Sequence, residues 1–145
     1  ANRGVLPLPT GPERRLQLIH VSDLARAVVL AATADKVNGV NHIAESRSYL
    51  WREVAERVAQ AVGKNARLVR VPAAFISIAG AVTEGVSRLT GRPSIFSRDK
   101  ARELLAPGWL CETRRAEQDF GFVAEIPLDR GFAETAKWYR AQGWL

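Results

Sequence analysis

Few residues of this chain have the type and spacing that enzyme chemistry requires. His20 could exchange protons near neutral pH, but no carboxylate or cysteine stands at ligand spacing from it, so we expect it to pack within a strand. Cys111 is the single cysteine and has no partner for a disulfide or a metal site. The sequence contains no Gly-x-Ser-x-Gly motif, the turn that would indicate a hydrolase. The sequence therefore predicts no catalytic residue and no metal ligand.

Length, composition and charge narrow the class of protein. The chain has 145 residues, of which 47% are hydrophobic and 25% charged, enough for one ordinary core and one domain over residues 1–145. Its net charge of +6 could suit nucleic acid. However, the basic residues are mostly arginines scattered beside Glu or Asp, without interleaved aromatic residues, so we expect no nucleic-acid partner.

The hydropathy of the sequence and its single cysteine indicate the cellular compartment of the protein. No window approaches eighteen uninterrupted apolar residues, and the first residues do not read as a secretion signal. A single cysteine suits a reducing compartment. We therefore expect a cytoplasmic protein with no membrane partner.

The first half of the chain predicts two strands around one helix. Proline-rich residues 5–11 predict an extended segment and a turn, and residues 16–21 predict a buried strand. Ser22 or Asp23 is expected to cap the helix that follows, because either side chain can accept hydrogen bonds from free helix amides. Residues 40–44 predict a second short strand.

The second half predicts a mostly helical pattern. The expected helices cover residues 48–62, 73–89, 97–105, 113–119 and 129–139, and a third strand covers residues 67–71. Gly63 is expected to end the first of these helices in a left-handed conformation, and Ser97, Thr113 and Asp129 to cap later ones. The fold class is therefore α/β, mostly helical with a few short strands, too few for a complete doubly wound sheet.

Several segments together resemble one known family. They are residues 18–25 (Leu-Ile-His-Val-Ser-Asp-Leu-Ala), residues 39–43 (Gly-Val-Asn-His-Ile), and residues 116–122 (Ala-Glu-Gln-Asp-Phe-Gly-Phe) followed by Gly131 and Trp138-Tyr139. Their order resembles the C-terminal portion of extended short-chain dehydrogenases/reductases, the NAD-dependent epimerases and dehydratases. The stretch from Pro72 to Lys100 is most similar to the branch with dihydroflavonol reductase-like, hydroxysteroid dehydrogenase-like and hopanoid-associated sugar epimerase-like members.

The resemblance implies a division of labour within a longer enzyme. In that family an N-terminal Rossmann domain holds NAD or NADP, a Tyr-x-x-x-Lys pair transfers protons, and the smaller C-terminal part closes over the substrate. Four residues after Tyr49 and Tyr139 stand Glu53 and Gly143, not lysine.

The chain is therefore expected to be a fragment whose partners are a small-molecule substrate and a missing N-terminal dinucleotide-binding domain. It would be the substrate-binding part of a nucleoside-diphosphate-sugar epimerase or dehydratase, or of a related reductase, with no cofactor of its own. Homo-oligomerisation is left open. We also expect an exposed apolar face where the missing domain would dock.

The resemblance also indicates candidate substrate-binding residues. Related UDP-sugar epimerases place a phosphate-clamping arginine just before the strand at residues 16–21, which implies such a role for Arg14 or Arg15. Leu16 occupies the usual position, so the alternative is that both arginines are surface residues. Gln17 alternates with apolar neighbours and could face the substrate, or lie on an ordinary polar strand face.

A second hypothesis comes from a different class of protein. The chain could be a stand-alone ligand-binding or protein-interaction module without enzymatic activity. The two hypotheses differ in whether a dinucleotide-binding domain is encoded upstream in the same reading frame.

Overall fold

The computed structural model describes residues 5–63, 67–94 and 96–145. The chain divides into two compact units. The first unit combines Ala1–Arg14 with Ala66–Gly108, and the second combines Arg15–Asn65 with Trp109–Leu145. Among the described helices, none is long and apolar enough to cross a membrane.

The first unit contains one pair of parallel strands. Strand β1 (Val5–Pro9) lies beside β4 (Arg67–Val71) in register over five residue pairs. The ladder continues one residue further, because the backbone N–H of Thr10 donates to the carbonyl of Val71 at 2.9 Å. The proline-rich segment is therefore a strand, and β4 has the bounds that its sequence predicts.

Two helices complete the first unit. Helix α3 (Ala73–Thr90) follows β4 after Pro72, and helix α4 (Arg98–Leu105) begins after Ser97. The hydroxyl oxygen of Ser97 accepts a hydrogen bond from the backbone of Lys100 at 3.3 Å, which confirms the predicted cap.

Helices α3 and α4 pack closely at a glycine. A Cβ atom on Gly80 would lie 2.8 Å from the carbonyl oxygen of Ser97 and 2.9 Å from the Cβ of Ala101. Beside this contact, the hydroxyl of Thr83 donates to the carbonyl of Phe96 at 2.6 Å. The absence of a side chain at Gly80 therefore sets how closely the two helices approach.

The second unit contains four helices and small strands. In chain order these elements are β2 (Arg15–Leu16), α1 (Val21–Thr33), β3 (Tyr49–Leu50), α2 (Trp51–Val62), the Trp109 end of β5 (Gly108–Trp109), α5 (Arg114–Phe120) and α6 (Leu128–Ala141). Strand β2 runs antiparallel to β3, and the N–H of Gln17 donates to the carbonyl of Trp109 at 2.9 Å. Helix α2 ends at Gly63, whose φ of 72° confirms the predicted left-handed cap.

Two apolar clusters form the core of the second unit. The larger buries Leu16, Tyr49, Val54 and Leu128, and therefore joins β2, β3, α2 and α6. The smaller is built on Ala27, Ala116 and Phe122 and joins α1 to α5 and the segment after it. The tail of α6 adds an exposed aromatic group in which the Trp138 ring meets those of Tyr139 and Trp144 edge-on.

Two predicted strands differ from the structure. Only Leu16 of residues 16–21 is in a strand, because the chain turns into helix α1 already at Val21. Residues 40–44 form no strand. There the carboxylate of Asp119 accepts hydrogen bonds from the backbone of Asn38 and the side chain of Asn41, so side-chain contacts replace a strand ladder.

Two predicted helix caps are wrong, and Thr113 occupies the predicted N-cap position of α5 without a side-chain cap bond. The side chain of His20, not Ser22 or Asp23, accepts the first hydrogen bond at α1. The side chain of Thr113 makes no cap bond, and a carboxylate oxygen of Glu112 accepts from the N–H of Arg114 instead. Asp129 lies inside the first turn of α6, which begins after a proline.

Candidate functional site

The second unit contains a mostly apolar pocket of about 330 Å³. Its walls come from the chain entering α1, from the segment before α6 and from α6 itself. The lining residues are Leu18, Ile19, His20, Val21, Glu45, Ala124, Ile126, Pro127, Leu128, Gly131, Phe132 and Thr135. Three of them, His20, Glu45 and Thr135, bring polar side chains to this wall. The pocket is therefore suited to an apolar ligand with a few polar atoms.

His20 is held firmly at the pocket. Its Nδ1 accepts a hydrogen bond from the backbone of Ser22 at 3.3 Å, so the neutral ring carries its proton on Nε2. That atom lies 3.7 Å from a carboxylate oxygen of Glu134, and the side chain is only 11% exposed. A Cβ on Gly131 would come within 3.2 Å of the ring. His20 thus caps α1 and lines the pocket. The prediction that it packs within a strand is wrong.

Asp23 fixes the segment that forms another wall of the pocket. It is 2% exposed, and one carboxylate oxygen accepts hydrogen bonds from the backbone amides of Glu125 at 2.9 Å and Ile126 at 2.8 Å. Burial opposes ionisation of this carboxyl group, but the hydrogen bonds of Arg26, Ile126 and Glu125 outweigh burial and lower its pKa. Asp23 therefore positions Ile126, which lines the pocket.

Arg26 completes this attachment. Its guanidinium donates to Asp23 at 2.8 Å, pairs with Glu125 at 3.3 Å and lies 5.0 Å from the centre of the Phe122 ring. It also donates to the carbonyl of Val123. One helix turn thus holds the whole segment between α5 and α6.

Glu45 links the pocket to the core. The hydroxyl of buried Tyr49 donates to its carboxylate at 2.6 Å, and the guanidinium of Arg47 lies 4.9 Å from the Tyr49 ring. Burial, followed by the hydrogen bond to Glu45, raises the pKa of Tyr49 to about 12. Tyr49 therefore stays protonated at neutral pH and orients the Glu45 carboxylate.

The residues predicted to bind substrate are already engaged by the protein. Arg15 donates to the hydroxyl of Ser48 at 3.0 Å and to its carbonyl at 3.2 Å. The amide of Gln17 donates to the carbonyl of Glu45 at 3.1 Å and accepts from the N–H of Cys111 at 2.7 Å. These two residues lie together in the second unit, but neither lines the pocket.

Arg14 belongs to the first unit. Its guanidinium donates to the carbonyls of Pro12 at 3.4 Å and Pro9 at 3.5 Å, while its Nε is buried without a partner. A substrate-binding role for Arg14, Arg15 and Gln17 stays a prediction.

Sequence reasoning missed most of the pocket. Glu45 lies far along the chain from Phe132 and Thr135, and nothing in the sequence indicates that it shares a wall with them. The one signal in the sequence is the run Leu18-Ile19-His20-Val21, which carries part of the family resemblance. Its apolar pattern predicts a packed strand and not a pocket wall.

The described residues do not fit a dinucleotide. A phosphate-binding turn needs glycines between a strand and the first turn of the next helix. The connection from β3 to α2 has no intervening residue, that from β4 to α3 has only Pro72, and those before α1 and α5 contain no glycine. In the described ranges, no group of three or more His, Cys, Asp or Glu side chains could hold a metal ion.

Comparison with known proteins identifies a relative over the whole length of the chain. No protein-family model matches. Ceramide reductase from Caulobacter vibrioides (strain NA1000 / CB15N) is 37% identical over 147 aligned residues, which include all of this chain and 45% of the relative. The chain thus spans less than half the length of this relative.

Several solved structures share the fold. DesIV, a dTDP-glucose 4,6-dehydratase from Streptomyces venezuelae solved with NAD and TYD bound, superposes with a TM-score of 0.64 at 18% identity, covering 99% of this chain and 36% of that one. The crystal structure of gox2253 gives a TM-score of 0.63 at 17% identity, covering 97% of this chain and 49% of that one. MoeE5, solved with UDP-glucuronic acid and NAD, gives 0.63 at 18% identity, covering 97% and 38%.

These matches confirm the family resemblance. The chain has the fold of the C-terminal portion of the extended short-chain dehydrogenases/reductases, an α/β fold that is mostly helical with few short strands.

Proposed function

We propose that residues 1–145 are the substrate-binding C-terminal part of a longer NAD(P)-dependent enzyme, a reductase, epimerase or dehydratase. In this proposal the catalytic pair and the cofactor site belong to a dinucleotide-binding domain outside this sequence. The observation that carries it is the alignment of the whole chain with 45% of ceramide reductase. The strand–helix connections without glycine, described above, support it too.

The pocket favours a reductase of an apolar substrate over a sugar-nucleotide enzyme. Most of its wall is aliphatic or aromatic, which suits a hydrocarbon chain. A sugar nucleotide needs cationic side chains for its diphosphate, but the guanidinium of Arg15 is already bound by Ser48. The ceramide named for the relative is a lipid, so we propose a lipid substrate of the ceramide class.

The polar side chains at the pocket would then orient the lipid headgroup. The His20 ring, whose Nε2 lies 3.7 Å from the Glu134 carboxylate, would be one of these groups, and the Glu45 carboxylate, which accepts from the Tyr49 hydroxyl, would be another. The apolar walls from Ile19, Ile126 and Phe132 would hold the chain next to the headgroup. The described residues would thus bind and orient the lipid, and a nicotinamide cofactor held by the dinucleotide-binding domain would supply the hydride chemistry.

The test uses the full-length parent protein in two assays: ketone reduction with NADPH or NADH is followed by loss of cofactor absorbance, and sugar-nucleotide turnover with NAD or NADP is followed by product analysis. We expect oxidation of the reduced cofactor with a ketone of the ceramide class, and no new product from UDP-glucuronic acid or a dTDP-sugar. Replacing Thr135 at the pocket with Trp should raise the KM for the lipid about tenfold, because it removes volume from the pocket. Lys137→Trp, also exposed on α6, is the matched control. Turnover of sugar nucleotides but not of the lipid would overturn the lipid proposal.

The second candidate is a stand-alone ligand-binding or protein-interaction module. It is favoured by the absence of a Tyr-x-x-x-Lys pair, since such a chain could bind the same ligand without reacting. The intact mass of the protein isolated from its source separates the two candidates. A mass near the 15.9 kDa of this chain supports the module, and a mass about twice as large supports the enzyme.

A further inference from the structure

Helix α3 of the first unit has an apolar stripe along its length. The stripe consists of five side chains at spacings of three or four residues, each between 53% and 89% exposed: Phe75, Ile78, Val82, Val86 and Leu89. Residues at this spacing share one face of a helix. A continuous exposed apolar face of this kind indicates an interaction surface.

The stripe is not the packing face of the helix. The buried residues of α3 are Ile76 and Gly80, and the contact of Gly80 with Ser97 and Ala101 shows that this face packs on α4. At 100° per residue, the stripe lies on the other side of the helix. The first unit therefore has one face of α3 for its own core and another that its own residues leave exposed.

Most of the net positive charge of the chain belongs to the same unit. The first unit has nine basic and four acidic residues, a net charge of +5, whereas the second has twelve and eleven, a net charge of +1. The acidic residues of α3 and α4 are paired with basic neighbours. In the part of the chain that the structure describes, the exposed residues Arg70 and Arg92 have no acidic partner, and they flank α3 at its two ends.

We propose that the stripe, flanked by Arg70 and Arg92, docks the first unit on the surface of an anionic lipid bilayer. Helix α3 would lie in the plane of the interface, with its apolar side chains among the upper acyl chains and the arginines at the headgroups. The two arginines at the ends of α3 favour this occupant, because anionic headgroups would attract them. The stripe belongs to the first unit and the pocket to the second, and this proposal does not depend on the proposed reaction.

This proposal revises the expectation of no membrane partner. That expectation came from the length of uninterrupted apolar windows, which detects helices that span a bilayer. An interfacial helix has polar residues on its other face and gives no such window, so a chain without a spanning helix can still bind a lipid surface.

The experiment is flotation of the protein with phosphatidylcholine vesicles, with and without phosphatidylglycerol. We expect binding to the anionic vesicles that weakens as salt is added. The double variant Ile78→Ser/Val82→Ser should weaken it about tenfold or more, because it removes the apolar side chains from the centre of the stripe. Arg70→Glu/Arg92→Glu should abolish the preference for phosphatidylglycerol. The matched control is Val28→Ser/Val29→Ser on α1, whose side chains are similarly exposed at 61% and 60%.

Three results would overturn the proposal: no binding of the wild type to anionic vesicles, equal binding to neutral ones, or an equal loss in the α1 control. Circular dichroism checks that each variant is folded. Sedimentation tests the rival occupant, since a dimer that Ile78→Ser/Val82→Ser converts to a monomer would assign the stripe to a second copy. The full-length parent must float as well, because a stripe covered by the remaining domain would not bind.

Discussion

The second unit is held together by buried polar groups and aromatic side chains, whereas the first depends on one pair of strands and one close helix contact. In the second unit, Asp23 and Tyr49 are each 2% exposed and both have hydrogen-bond partners. In the described part of the first unit, the buried side chains are Ile76 and Ala101, and the apolar stripe of α3 is exposed. The comparison teaches that the buried polar groups and the pocket belong to the second unit, whereas the first unit has the exposed stripe of α3 and most of the net positive charge.

The largest loss of stability is expected from a substitution of Asp23, because its carboxylate binds the backbone of the segment that forms a wall of the pocket. Asp23→Ala leaves two backbone amides and Arg26 without their acceptor and should lower the free energy of unfolding by about 3 kcal/mol. Urea unfolding measures this. The control is Asp99→Ala in the first unit, an exposed ion pair that should cost less than about 1 kcal/mol. Equal losses in the two variants would remove the contrast between the units.

Tyr49 should make the second unit sensitive to alkali. Its pKa rises from 10.0 to about 12 on folding, so its stabilisation is complete below pH 10 and is lost as the pH rises towards 12. The loss should be about 1.4 kcal/mol per pH unit over that interval, relative to Tyr49→Phe. Phenolate absorbance of Tyr139→Phe, where Tyr49 is the only tyrosine left, should show a midpoint near 12. A midpoint at 10 would contradict the buried Tyr49–Glu45 contact.

Substitutions at two glycines of α3 test how closely α3 and α4 pack in the first unit. Gly80→Ala should lower the free energy of unfolding by about 2 kcal/mol, because its Cβ would meet backbone of α4 at 2.8 Å. Gly85→Ala has open space around its Cβ and should raise the free energy of unfolding by up to about 1 kcal/mol. Hydrogen exchange of amides in α3 and α4 measures both. The same sign for the two substitutions would mean that the helices do not touch at Gly80.

The smallest effect is expected at the surface of the second unit. Arg57 on α2 pairs with Asp129 on α6, whose side chain is 69% exposed. Asp129→Asn should lower stability by less than about 1 kcal/mol, and the difference should disappear at high salt. Thermal unfolding at two salt concentrations checks this. A larger loss that salt does not reduce would place this pair among the groups that hold the second unit together.

Local sequence signals predicted the elements that depend on local physics. Gly63 and Ser97 were identified as caps because a left-handed glycine and a serine hydroxyl act within one helix turn. Strand β4 was found from its apolar pattern, and the family resemblance gave the fold class. For the two caps, the deciding contacts lie within a few residues.

Contacts between residues that are distant along the chain could not be predicted from local sequence signals. Asp23 has the residue type of a cap, and only the fold brings it to Glu125 and Ile126, about a hundred positions away along the chain. Residues 40–44 have a strand pattern but form no strand, and Asp119 accepts hydrogen bonds from the side chain of Asn41 and from the backbone of Asn38 just before the segment. The pocket wall is likewise assembled by tertiary contacts alone.

The prolines of β1 also hinder edge-to-edge association with other molecules of the same protein. Because the N–H of Thr10 points to β4, alternation along the strand turns the backbone nitrogens of Pro7 and Pro9 to the outer edge. Proline nitrogen has no hydrogen, so this edge cannot donate at either position. A strand from another molecule would find too few hydrogen bonds to extend the sheet, and edge-to-edge aggregation through β1 is blocked.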